Sequence, residues 1–171
     1  MRAVIPPFAR TVRRFRREER GVALVEFAIS LPLILALFAV IVESGRMFWA
    51  YQSVSTAVRD TSRYLGRLAP ANLCETRGAG AFSDYNTELG AVFDAAISPG
   101  SLSAGGVTAT LQTPVLDCVA GDFRVSPAPV AELSATLTID LPFTAVFVLL
   151  GLSATPQIAT TISDRSRIFG T

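Results

Sequence analysis

Apolar and polar positions are unevenly distributed along the chain, and three patterns follow one another. Residues 22–42 (VALVEFAISLPLILALFAVIV) form a nearly continuous apolar run with one charge, Glu26. At a helical rise of about 1.5 Å per residue the run is roughly 30 Å long, the thickness of a bilayer's hydrocarbon core. Pro32 lies inside it and predicts a bend near residues 28–32, because proline removes one backbone hydrogen bond and crowds the preceding turn. Beyond Arg46 the run gives way to a stripe. Met47, Tyr51, Val54, Val58, Thr61, Leu65 and Leu68 recur at alternating intervals of four and three, with Thr61 the one polar member. Between Pro32 and Pro70 there is no proline, so residues 22–67 read as one helix, apolar all round at first and amphipathic afterwards. Trp49 and Tyr51 stand where an interfacial aromatic belt belongs.

The third pattern is strand-like. Residues 69–83 are rich in Ala, Gly, Pro and Asn and read as a loop; Ser83 is the expected cap of a short helix with Leu89, Val92, Phe93 and Ile97 partly on one face, stopped by Ser98-Pro99-Gly100. Period-two alternation then appears at 107–112 and, most cleanly, at 132–141, with weaker candidates at 115–125 and 157–163. These predict a small antiparallel sheet with one buried face, and the stripe of residues 47–68 is its natural cover. Residues 143–152 (FTAVFVLLGL) are apolar on every side and too short to span a bilayer; a core helix, an interfacial segment and a subunit contact are all open for them. The expected fold class is α+β: a long N-terminal transmembrane-plus-amphipathic helix, then a small helix and an antiparallel sheet. The expected organisation is a cytoplasmic basic leader (1–21), a transmembrane helix (22–45), an amphipathic extension (46–68) and an exported α+β domain (69–171).

Charge gives this plan an orientation. Residues 1–20 hold seven arginines against Glu18 and Glu19, whereas the rest of the chain holds eight arginines against twelve acids, and there is no lysine. A basic flank beside an apolar span stays in the cytoplasm, which places the C-terminal domain in the periplasm and makes a nucleic-acid partner unnecessary. A cleaved secretory signal competes, but its apolar region is shorter, about 7–15 residues, and Glu43-Ser44-Gly45-Arg46 is a poor small-x-small site. Cys74 and Cys118 both fall in the exported part; an even count in an oxidising compartment favours a disulfide, with two buried thiols as the alternative. Two cysteines without a histidine make a poor metal site, and neither metal nor cofactor is expected. Catalysis finds no support either: the chain has no histidine, no lysine, no phosphate-binding glycine loop and no G-x-S-x-G. Glu43 and Arg46 are spaced to pair or to remain two solvated charges, and Arg59, Arg63 and Arg67 form a basic ridge that is either solvated or docked on acids.

The most informative segment is the junction Arg20-Gly21-Val22-Ala23-Leu24-Val25-Glu26-Phe27. A carboxylate inside an apolar run costs about 2.5–3.5 kcal/mol on insertion scales, so Glu26 either stays wet at the cytoplasmic edge or meets a cation. A freed N-terminal amine in a neighbouring subunit is the simplest such cation, and cleavage after Gly21 would create it. A glycine ahead of the helix would supply the extended, accessible backbone that a peptidase needs.

Gly-x-x-x-x-Glu-Phe before an apolar stretch resembles the processing site of type IV pilins and pseudopilins. Residues 20–67 are similar to the TadE-like family (TadE and TadF) of the tight-adherence, or Flp, pilus system. The shared features are the basic leader, RG-x-x-x-VEFA, the step Leu31-Pro32-Leu33, the aromatic patch before a polar helix, and R-x-x-x-R-Y ending at Tyr64. Over the sheet-like remainder only pattern and length agree, and the short exported part suits TadE or TadF better than the longer TadG.

The resemblance implies cleavage by prepilin peptidase between Gly21 and Val22, with Glu26 and Phe27 as further recognition residues. It implies a structural role, as a minor pilin-like subunit or assembly factor in pilus biogenesis, adhesion or biofilm formation. The implied partners are the inner-membrane bilayer, prepilin peptidase, other pilin-like subunits and the Tad secretion machinery. The rivals are an uncleaved inner-membrane scaffold and a membrane-tethered periplasmic binding module, with an enzyme behind both.

Overall fold

The computed structural model describes residues 19–76, 80–97, 106–149, 151, 153 and 157–170. Most of the basic leader and the Ser98-Pro99-Gly100 helix stop lie outside the described residues. Helix α1 (Glu19–Leu68) is followed by a single turn, α2 (Leu73–Thr76), a 3-10 turn (Ser83–Tyr85) and α3 (Asn86–Ala96). Then come β1 (Val107–Leu111), β2 (Val115–Val119), β3 (Ala128–Asp140), the short α4 (Thr144–Leu149) and β4 (Gln157–Arg167). The class is α+β. Two compact units make up the chain, Met1–Val42 and Glu43–Thr171, with α1 contributing residues to both.

In the first unit α1 is unbroken through Pro32. Its large apolar side chains face outward: Leu24, Phe27, Ile29, Leu33, Leu37 and Ile41 are all at least 60% exposed. A helix in a soluble core buries such residues, whereas a lipid-facing span presents them. The helix is long and apolar enough to cross a membrane, and it fits a single-pass anchor.

The second unit is built around β3. β4 pairs with β3 from Val130↔Arg167 to Asp140↔Gln157, occupying one edge almost completely. β1 and β2 therefore share the other edge, β1 against residues 135–139 and β2 against residues 128–132. They are one strand interrupted by a bulge: Leu111 faces Ala135, yet Val115 faces Glu132, leaving one extra residue on the β1–β2 side. Pro114, which has no N–H to donate, sits in that interruption, while the Gln112 amide still reaches the Ser134 carbonyl at 2.8 Å. The extra residue inverts the alternation. Val107, Ala109 and Leu111 oppose inward positions of β3 before the bulge, and Leu116 and Cys118 oppose inward Ala131 and Pro129 after it.

The inward face of β3 (Ala131, Leu133, Ala135, Leu137, Ile139) is buried. One cluster joins it to Ala50, Val54, Ala57 and Val58 of α1 and to Phe93 and Ile97; a second joins Ala131 to Leu65, Ala69, Leu73, Phe82 and Leu89. The stripe covers the sheet as expected, with its phase corrected at the start. Ala50 is buried and Tyr51 is exposed, since a straight helix turns every 3.6 residues and a 3.5-residue stripe drifts off its face. Thr61 is fully buried without penalty because its hydroxyl donates to the Ala57 carbonyl at 2.7 Å.

Three further expectations change. Ser83 begins the 3-10 turn and does not cap α3; Tyr85 occupies the cap position and makes no side-chain bond there. The 69–83 loop contains α2. The 132–141 strand starts four residues earlier, at Ala128, where Pro129 had concealed it; the Pro129 carbonyl accepts from the Ile168 amide at 3.0 Å.

Helix and sheet approach most closely near Gly66. A β-carbon there would lie 2.7 Å from Ser166 Oγ and 2.8 Å from the Arg167 carbonyl oxygen. One turn earlier the buried Ser62 hydroxyl donates to the Asp164 carboxylate. Toward residues 44–51 the two layers leave an apolar groove between α1 and strands β3 and β4.

Gly66→Ala is expected to destabilise the domain by about 1–3 kcal/mol, overpacking outweighing the helix propensity gained. Gly90→Ala in α3, where nothing lies within 4 Å of the added carbon, should instead stabilise it by up to about 1 kcal/mol. Chemical unfolding of the full chain in detergent reads both signs.

Candidate functional site

The junction residues lie on α1, and Gly21 is helical, not an extended residue ahead of the helix. The local backbone expectation is thereby corrected. A β-carbon at Gly21 would meet nothing within 4 Å. Val22, Glu26 and Phe27 are exposed. Val22 and Glu26 are separated by four residues and so share one face of the helix. Among the described residues Glu26 makes no ion pair.

In the second unit a different acid is enclosed. Glu43 retains only 7% exposure. One carboxylate oxygen accepts from Arg46 Nη1 at 3.1 Å, one turn along the helix. The other accepts the backbone amide of Phe143 at 3.0 Å, just before α4. Both oxygens are therefore engaged, and α1 is tied to a segment one hundred residues away in the sequence. The spacing of Glu43 and Arg46 signalled the pair; nothing in the sequence signalled Phe143. Among the described side chains of α4 none is buried, and Val148 is 60% exposed. Phe48 and Trp49 are exposed in the same unit.

Cys74 on α2 and Cys118 on β2 form a disulfide, with sulfurs 2.07 Å apart and α-carbons 5.9 Å apart. The bulge puts Cys118 opposite Pro129, on the helix side of the sheet, and Leu73 anchors α2 in the second cluster. Arg59, Arg63 and Arg67 are exposed and make no ion pair among the described residues, which is the solvated reading of the ridge. The neighbouring Tyr64 hydroxyl donates to Glu88 of α3; that hydrogen bond, with some burial and the adjacent negative charge, raises the tyrosine pKa. On the outer face of the sheet Arg165 pairs with Glu132 at 2.7 Å.

Two substitutions test these ties. Glu43→Ala strands the Phe143 amide, and hydrogen exchange at Phe143 should accelerate about tenfold or more, equivalent to a loss of about 1–3 kcal/mol. Glu43→Gln, which keeps an oxygen acceptor, should accelerate it less. Replacing both cysteines by serine opens a link spanning 44 residues and should cost about 2–5 kcal/mol in chemical unfolding.

No curated protein and no solved structure matches the chain. Residues 21–63 match the family model described as TadE-like protein. The matched segment starts at Gly21 and covers the apolar run and most of the amphipathic stripe, so the chain's likeness to known proteins resides in α1. Over these residues the chain is similar to the TadE-like family.

Proposed function

We propose that the protein is a pilin-like, membrane-anchored subunit or assembly factor of Tad pilus biogenesis, processed by prepilin peptidase between Gly21 and Val22. The observation that carries this reading is the TadE-like match over residues 21–63, which opens on the glycine of the proposed cleavage site. The leader of residues 1–21 stays cytoplasmic, residues 22–45 cross the inner membrane, the amphipathic extension 46–68 leaves it, and the domain 69–171 lies in the periplasm. Removal of the leader frees an α-amine at Val22. That cation can neutralise Glu26, one turn along its own helix or on a neighbouring subunit, and so offset a cost of about 2.5–3.5 kcal/mol for a carboxylate in lipid. Neutralised in register, apolar helices leave the bilayer and pack together. Prepilin peptidase, other pilin-like subunits and the Tad secretion machinery are the partners, and pilus-dependent adhesion and biofilm formation are the cellular outputs. The role is structural, not enzymatic.

The helical setting of Gly21 favours a second reading, an uncleaved inner-membrane scaffold, because the helix must open there before a peptidase can reach it. The rival periplasmic binding module draws less support: the groove beside α1 is lined chiefly by apolar side chains and offers few polar groups to a soluble ligand.

Mass spectrometry of the N-terminus from bacterial membranes decides between the first two. A chain starting at Val22 is expected, reverting to Met1 in Gly21→Leu. A wild-type chain starting at Met1 sinks the processing claim.

A further inference from the structure

The groove in the second unit has a volume of about 410 Å³, within the roughly 300–1,000 Å³ of small-ligand sites. Met47, Phe48 and Tyr51 of α1 form one wall, and Leu137, Ile158 and Thr160 of the sheet form the other. The inward side chains of β4 explain why it exists. Ile162 is buried against α1, but Thr160 is too short to fill the widening gap, and Ile158 remains 37% exposed. Phe48 and Tyr51 keep the mouth open, at 66% and 44% exposure.

An apolar groove that faces water is unfavourable, at about 25 cal/mol per Å² of apolar surface, unless something apolar occupies it. We propose that it holds the acyl chain of a bilayer phospholipid, so that this end of the domain is seated in the membrane interface. The inference rests on the membrane-anchor reading of α1. Its argument is continuity: the helix wall starts at Ser44, two residues after the apolar run ends at Val42, in one unbroken helix. At about 1.5 Å per residue, Ser44 to Tyr51 lie about 3–14 Å along the helix from the end of that run. The headgroup layer is roughly 5–7 Å deep on each side of the hydrocarbon core, so a lipid displaced outward by a few ångströms can place its chain between the walls. Among the described residues no charged side chain lines the groove to orient a protein partner, and eight line it, against roughly 20–30 on each side of a stable protein interface.

The chain has two methionines, and Met47 faces the groove. The full chain, made with photo-methionine and reconstituted in vesicles of phosphatidylethanolamine and phosphatidylglycerol, reports what lies beside it on irradiation. A phospholipid adduct at residue 47 is expected. It should fall several-fold in Thr160→Phe, which fills the groove, while the fraction of protein floating with vesicles after an alkaline wash stays unchanged. Intermolecular peptide adducts at residue 47 would assign the groove to a second copy and overturn the proposal. So would intrachain adducts alone, or a lipid adduct that Thr160→Phe leaves undiminished. Wild-type protein that fails to float with the vesicles overturns the anchor reading as well, whereas protein that floats without a groove adduct overturns only the inference.

Discussion

The contact between one face of α1 and the inward face of β3 is the constraint on which the second unit depends. β3 is paired along both edges, so its inward side chains can be covered only from the helix side. The cover is unusually thin where it is tightest. Ser62 and Gly66 replace the bulky residues of an ordinary amphipathic helix, and the backbone at Gly66 approaches the Arg167 carbonyl of β4 within the space a methyl group would need. Close approach at one end and larger, less complete packing at the other follow from the same residues. Ala50, Val54 and Val58 meet Leu133 and Leu137, and beyond them the layers part around Thr160 and Ile158.

The elements that depend on period were legible in the sequence. The apolar run, the amphipathic continuation, the 132–141 alternation and the α+β class all follow from spacing. What escaped it depended on size or on distant partners. Large apolar residues at helical spacing point to Tyr51 over Ala50 and give no weight to Gly66, because a small side chain at a close contact carries no hydrophobic signal. Thr61 looked like an interruption, since its hydroxyl is satisfied by its own helix and by nothing the pattern displays. Pro114 was the visible trace of the bulge, but its effect, turning Cys118 toward the helices, requires the register with β3.

The site divides along the same line. The Glu43–Arg46 pair was foreshadowed by a local i,i+3 spacing, and the structure makes it. The Phe143 amide, one hundred residues on, completes the carboxylate's hydrogen bonding and explains how an acid can be buried there. Gly21 marked the junction by identity alone. Its helical setting means that a peptidase of the proposed kind would have to open helix there, whereas an extended strand would be accessible as it stands.

Two glutamates thus face the same physical problem with different solutions. Glu43 loses almost all contact with water and compensates with a cation and an amide from its own chain. Glu26 lies in an equally apolar sequence, is exposed, and has no ion pair among the described residues. A carboxylate placed in lipid without compensation is costly, and the apolar residues around Glu26 offer none. Its compensation must therefore come from water at the membrane edge, from the basic end of the chain, or from another molecule. Of these, a freed amine at Val22 combines opposite charge with a fixed position one helical turn away. On the proposed processing, Gly21 and Glu26 form one unit, cleavage at the first creating the partner of the second.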